Sequence, residues 1–460
     1  MSDATAMAAA VRKGTTTAEE LATAALDRIE ARDGEVNAFT VVLREEALAR
    51  AREIDAADRS SLGPLAGVPV SVKDHIWMAG QPATNGSLAL RDFVPDVDAV
   101  PVARLRAAGA VIVGKTNNPE FCYRGYTDNA VFGTTRNPWA LDRTPGGSSG
   151  GAGASVAYGA TPLALGTDGG GSIRIPAAFC GVVGHKPTFG LVPKLPGFRG
   201  WPSLSVDGPL AVSVRDAALA LRVMAGAHPA DPLTWPVPLG SERKVDWSRL
   251  RVAVSEDLGW APVEPVVRSA FRAAVDRLVD DGAAVTETCP DTGYPTELWN
   301  ATALPEGFAS EGPLLDRDGI DDVTREIVEA GRSATASDYL DAQERRRAFS
   351  HTWESFFEEY DVLLAPSLPI PAFGTDVTGP DRIDGIPIDP FFDDWCVLAL
   401  PANLTGQPAC AVPTGLTSDG LPVGMQVIGP RWADSRVLAV AERHEALTGF
   451  ELAPAHTGVR

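Results

Sequence analysis

GGSSGGAGASVAYGATPLALGTDGGGSIRIPAAFC, residues 146–180, holds two glycine-flanked serines, Ser148 and Ser172, joined by a segment too apolar to be a linker. Flexible Gly/Ser linkers do not carry a core strand such as the one written in VAYGATPLALGTD. Each ordered glycine costs roughly 0.5–1 kcal/mol of chain entropy, in return for positive φ and close approach of another group. Glycines gathered here therefore point to a site that needs exposed backbone N–H groups and hydroxyls together.

Three pieces within and around this stretch carry chemistry. Gly67-Val68-Pro69-Val70-Ser71-Val72-Lys73-Asp74 puts a lysine at the end of an apolar, β-branched strand. Desolvation there lowers a lysine's pKa from about 10.4 toward neutrality and makes the amine a competent base. A lysine that only snorkels out of a strand end is the competing reading. Gly146-Gly147-Ser148-Ser149-Gly150-Gly151 is neither a phosphate loop nor a nucleophile elbow. The first requires Lys-Ser/Thr where Gly151-Ala152 stands, and the second requires a strand where Asp142-Arg143-Thr144-Pro145 stands. In Thr167-Asp168-Gly169-Gly170-Gly171-Ser172, three glycines can turn several amides toward one point beside a hydroxyl, which is how an oxyanion hole is built. A bulge at a strand end is the plainer alternative.

Outside these pieces the chain alternates helix and strand signals. Thr17 and Glu20 have capping-box spacing, and Leu21, Ala25 and Ile29 follow at helical intervals. A helix near 99–108 leads into the buried run Ala110–Val113, and Ser213 and Asp216 cap a helix ending near Met224. Residues 250–254 read as a strand, 264–280 as a helix and 283–287 as a strand. Residues 226–248 and the acidic stretch 373–394 read as loops, and 290–335 gives no clear signal. The alternation predicts an α/β fold built on a mixed or mostly parallel sheet.

The bulk numbers bound the function. With 460 residues, 45% of them hydrophobic, the chain can bury a large core. A net charge of −20 argues against nucleic-acid and anionic-membrane partners, which need a basic face. Five scattered cysteines without a C-x-x-C pair point to a reducing compartment, and no apolar run reaches the ~20 residues of a membrane span. A cytoplasmic protein is expected. The six histidines show no metal-binding spacing.

GVPVSVKD, GKTNNPEF, FGTTRNPW, TPGGSSGG, LGTDGGGSIRIPAAFCGVVGHKP, YDVLLAPSLPIPA, NLTGQPACAVPTG and GLPVGMQVIGP occur in this order, and the chain so resembles the amidase signature family over most of its length. The resemblance implies a single domain over 1–460, with a catalytic core at 67–192 and a variable region at 226–400 that shapes the substrate funnel. It implies a mixed, largely parallel central sheet covered by helices on both faces. It also implies a Ser–cis-Ser–Lys triad. Ser172 would be the nucleophile, Ser148 the bridging serine after a cis peptide bond, and Lys73 the base. The amides of Gly169, Gly170 and Gly171 would receive the oxyanion, and Ser149 would support the triad. Asp168 and Arg174, opposite charges flanking the nucleophile, read as a buried pair that stiffens its loop. Phe121, Cys122 and Tyr123 would wall the acyl pocket, and Phe391, Phe392 and Trp395 would border the funnel.

The expected reaction is hydrolysis of a small, uncharged or aryl amide through an acyl-enzyme. An aryl ester or carbamate on the same triad is the alternative. Neither cofactor nor metal is called for, and a monomer or homodimer is expected. Glutamine-hydrolysing subunits of tRNA-dependent amidotransferases carry SIRQP and a basic-aromatic continuation. Ser172-Ile173-Arg174-Ile175-Pro176 and Phe189-Gly190-Leu191-Val192-Pro193-Lys194 depart from that pattern and argue against ammonia delivery. An inactive scaffold would be expected to lack one triad position, and all three are present.

Overall fold

The computed structural model describes residues 3–240, 244–390 and 394–452. Among them the strands are β1 (Phe39–Val42), β2 (Pro69–Lys73), β3 (Val111–Thr116), β4 (Leu163–Asp168), β5 (Val183–Lys186), β6 (Val206–Ala211), β7 (Val252–Val254), β8 (Val285–Glu287), β9 (Val362–Pro366), β10 (Arg382–Ile383), β11 (Ile386–Pro387), β12 (Ala409–Leu416) and β13 (Pro422–Ile428). Eleven of them form one sheet in the order β1-β3-β2-β4-β6-β5-β12-β13-β9-β7-β8, and β10 and β11 make a separate ribbon.

The sheet is mixed, and its connections explain why. β2 runs parallel to β3 and β4, and β7 runs parallel to β8 and β9. Helix Val100–Ala107 crosses over between β2 and β3, and helix Pro265–Asp280 between β7 and β8, as parallel pairing requires. Between these blocks β4, β6, β5, β12, β13 and β9 pair antiparallel, and β1 lies antiparallel to β3 at the edge. A short turn joins β12 to β13, which permits only antiparallel pairing.

Alternate residues face opposite layers, the period-2 rule of strands. Val70, Val72, Leu163, Leu165, Val252, Val254, Val362 and Leu364 pack with residues of helices Val100–Ala107, Val214–Met224, Pro265–Asp280 and Asp434–Thr448. On the other side, Val111 and Val113 pack with helices Ala18–Val36 and Arg44–Ala56. There Ala164 and Leu210 meet helices Gly150–Ala157 and Arg174–Cys180, and Leu363 and Ala365 meet helix Ala336–Glu359. Helices thus cover both faces, and the glycine-rich segment lies on the second.

The helix and strand signals resolve as read, within a few residues. Thr17 and Glu20 close a reciprocal capping box on helix Ala18–Val36. Ser213 Oγ accepts the Asp216 amide at 3.2 Å at the start of helix Val214–Met224. Residues 290–335 fold into helices Thr296–Glu311 and Asp322–Ala330. Pro305 inside the first obscured its periodicity, because proline normally interrupts a helix. No helix of the described residues is long and apolar enough to cross a membrane.

Candidate active site

Lys73 ends β2 with its side chain fully buried. Its Nζ donates to Ser148 Oγ at 2.7 Å and to Thr167 Oγ1 at 2.7 Å. Burial pushes the amine's pKa down from the usual lysine range, against the pull of Cys122, Asp207 and Asp168. β2 and β4 are parallel neighbours, so the lysine at one strand end meets the threonine at the other. Nothing in the local sequence marks Thr167 for this contact, although it stands directly before Asp168.

The Gly147–Ser148 peptide bond is cis. Ser149 anchors the serine loop to β4: its Oγ donates to Thr167 O at 3.1 Å and accepts the Thr167 amide at 3.2 Å. The Ser149 amide donates to Ser172 O at 3.2 Å, which ties the two serine loops together. Ser148 and Ser172 border one cavity, and Ser172 also borders a second.

The loop before Ser172 hangs on a buried carboxylate. Asp168 Oδ1 accepts the Gly171 amide at 2.8 Å and Arg174 Nη2 at 3.1 Å, and Oδ2 accepts the Ile173 amide at 3.2 Å and Arg174 Nε at 3.1 Å. Asn403 donates to both Asp168 O (3.0 Å) and Oδ1 (2.9 Å). Arg174, also fully buried, donates to Gln426 Oε1 at 3.0 Å and Asn403 Oδ1 at 2.6 Å. Burial alone would raise the Asp168 pKa; the Arg174 guanidinium, with Lys186 and Asn403, holds it at about 2. Asn403 and Gln426 lie in the NLTGQPA and GMQVIGP runs, but nothing local marks either as a partner of Asp168 or Arg174.

One expected oxyanion donor needs correction. The Gly171 N–H is spent on Asp168 Oδ1, because the carboxylate reaches forward three residues over the turn. Gly169 borders the first cavity and Gly170 the second. Gly171 is instead a conformational requirement: its φ is +118°, and a Cβ there would lie 2.7 Å from Ala399 Cβ. Gly171→Ala should displace the Ser172 loop and lower kcat by about 10²-fold, the usual result of ångström-scale misplacement. Steady-state kinetics alongside thermal unfolding would check this; an unchanged kcat would contradict it.

Phe121, Cys122 and Tyr123 all border the first cavity. Phe121 (φ 49°) and Cys122 (φ 64°) occupy the left-handed region, an uncommon conformation for side-chain-bearing residues that turns this segment toward the two serines. Trp395 is a second correction. It is fully buried, stacks on Phe179 at 5.9 Å and meets Phe373 edge-on at 4.9 Å, so it packs the core rather than the cavity wall. Phe391 and Phe392 lie outside the described residues. The aromatic wall comes from elsewhere: Trp201 meets Tyr123 at 5.2 Å and Trp299 at 5.0 Å, both edge-on. Within 226–400, Trp299, Leu304, Ile327 and Leu400 line the second cavity. His75 borders the first with its Nδ1 2.9 Å from Asn85 Oδ1, and burial lowers its pKa to about 4, so the ring is neutral.

The Amidase family profile matches residues 20–438. The chain belongs to this family, the amidase signature enzymes. An acylamidase of Rhodococcus erythropolis is 40% identical, over 96% of this chain and 95% of its own length. A glutamyl-tRNA(Gln) amidotransferase subunit of Moorella thermoacetica is 38% identical, over 96% and 95%. Among solved structures, a bacterial aryl acylamidase of the amidase signature family superposes with TM-score 0.89 at 30% identity, covering 98% of this chain and 96% of that one. This family member is an amide hydrolase acting on carbon–nitrogen bonds other than peptide bonds.

Proposed function

We propose that this amidase cleaves a small amide with an apolar or aryl half, through an acyl-enzyme on Ser172. The observation that carries the reading is the position of Ser172, which borders a cavity walled by Trp201, Trp299, Leu304, Ile327 and Leu400. Such a wall favours an aromatic or aliphatic group by excluding water from it. Relatives in this family include both acylamidases and components of amidotransferases, so the substrate must be argued from the cavity.

The chemistry follows from the Lys73–Ser148 hydrogen bond and from the cavity that Ser148 and Ser172 share. Neutral Lys73 takes the Ser148 proton across the 2.7 Å contact while Ser148 takes the Ser172 proton. Ser172 Oγ bonds to the carbonyl carbon, and the resulting oxyanion meets the amides of Gly169 and Gly170. Collapse breaks the C–N bond, and the proton returns along the same path to the departing amine. Water then enters by the same route and releases the acid. Aryl esters and carbamates pass through a similar oxyanion and would be turned over by the same groups.

Two measurements test this reading. Among p-nitroanilides, aryl carbamates and free glutamine, an aryl amide should have the highest kcat/KM; preference for glutamine would overturn it. The base must be unprotonated, so kcat/KM should rise with pH through the lowered Lys73 pKa, with an ascending limb below the ordinary lysine range. A flat profile would contradict Lys73 as the base.

A further inference from the structure

Tyr123, Cys122, Trp201 and Ser172 border both cavities, so the nucleophile stands where two unlike lobes meet. The second lobe is apolar. The first is bordered by Asp207, Lys194, Glu311, His75 and the exposed Arg199 as well as by Ser148 and Ser172. Two of these side chains are accounted for. Glu311 accepts Tyr123 Oη at 2.6 Å and Ser310 Oγ at 2.5 Å, and His75 is held by Asn85.

Asp207 and Lys194 are different. Asp207 is only 5% exposed on β6, directly opposite Thr167 in the β4–β6 register, with β4 alone between its strand and that of Lys73. Among the described residues, no hydrogen bond or ion pair engages its carboxylate or the Lys194 Nζ. A buried carboxylate without a partner is costly. Here an acceptor and a donor of opposite charge border one lobe with their hydrogen-bonding capacity unspent. A neutral group with both an N–H and a carbonyl oxygen satisfies both and leaves the charge balance of the lobe unchanged. A ligand ion would satisfy one and oppose the other.

Resting on the hydrolase reading above, we propose that Asp207 and Lys194 are specificity-determining residues that bind a second, uncleaved carboxamide on the substrate. Its N–H would donate to Asp207 and its carbonyl would accept from Lys194. The enzyme would then take amides that are apolar on one side of the scissile bond and carboxamide-bearing on the other.

The test compares an anilide apolar on both sides, phenylacetyl anilide, with two carboxamide-bearing amides. Succinamoyl anilide carries the extra group on the acyl side, and phenylacetyl glycinamide carries it on the amine side. Wild type should favour one of the latter two over the apolar anilide in kcat/KM. Asp207→Asn should cut that preference by about tenfold or more, mainly through KM, as loss of a charge-assisted hydrogen bond predicts. Lys194→Met should act in the same direction and serves as the second variant should Asp207→Asn fold poorly.

Asp207 also lies within electrostatic reach of Lys73, so the pH profile of phenylacetyl anilide hydrolysis must be followed too. A shifted profile with all three substrates slowed equally would make Asp207 a tuner of the base and overturn the proposal. So would an unchanged preference in both variants, or no wild-type preference for a carboxamide. Stoichiometric labelling of Ser172 by an aryl phosphonate separates the two readings. Labelling without carboxamide selectivity sinks only the specificity proposal, whereas failure to label Ser172 sinks the hydrolase mechanism beneath it.

Discussion

Ser172→Ala is expected to lower kcat by at least about 10⁴-fold and to abolish covalent labelling by an aryl phosphonate, because the acyl-enzyme cannot form without its oxygen. What survives would come from Gly169, Gly170 and the binding walls, which stabilise the oxyanion without a covalent step. Lys73→Ala should fall nearly as far, since residues acting as one relay lose activity together rather than additively. The double variant should therefore be little worse than either single one. Full-time-course kinetics with an aryl anilide, and mass spectrometry of the trapped protein, would measure both effects. Label on any side chain other than Ser172, or additive losses in the double variant, would refute the relay.

Arg174→Met should be the most damaging change to stability, costing about 3–5 kcal/mol, because it leaves the Asp168 carboxylate buried without its cation. Asn403 and Gln426 would each lose a donor as well. The pH dependence separates this cause from simple mispacking. In the native chain Asp168 ionises at about 2, below the ordinary 3.8, so its contribution to stability is complete above the unfolded value. That contribution disappears as pH falls from about 4 to about 2. In Arg174→Met burial holds the carboxyl above its unfolded value, so the deficit relative to wild type should begin to narrow above about pH 4 and keep narrowing to about 2. Denaturant unfolding at several pH values would show it; a deficit independent of pH would mean that the charge pair is not the source.

Legibility in the sequence followed the range of the interactions. Lys73 reads as buried because Val68, Val70 and Val72 lead up to it, and the capping box at Thr17 is complete within four residues. The helix Thr296–Glu311 was hidden because its apolar positions answer to partners far away in the chain, and Pro305 breaks the pattern. The same holds for the aromatic wall. Trp201 and Trp299 lie about a hundred residues apart and meet only because both approach the loop at Gly169 and Gly170.

Residue order alone determined the mixed α/β architecture and the glycine loops around Ser148 and Ser172, while the resemblance to the amidase signature family is what marked Lys73 and the two serines as candidates for one proton path. Those features depend on short-range patterning, on strand alternation and on motifs whose members stand a few residues apart. Tertiary structure engaged the Gly171 amide with the Asp168 carboxylate, and it removed Trp395 from the cavity wall by packing it against Phe179 and Phe373. It also brought Asp207 and Lys194 into the lobe beside Ser172. A cavity is defined by what distant segments leave unfilled, and no local pattern encodes that space.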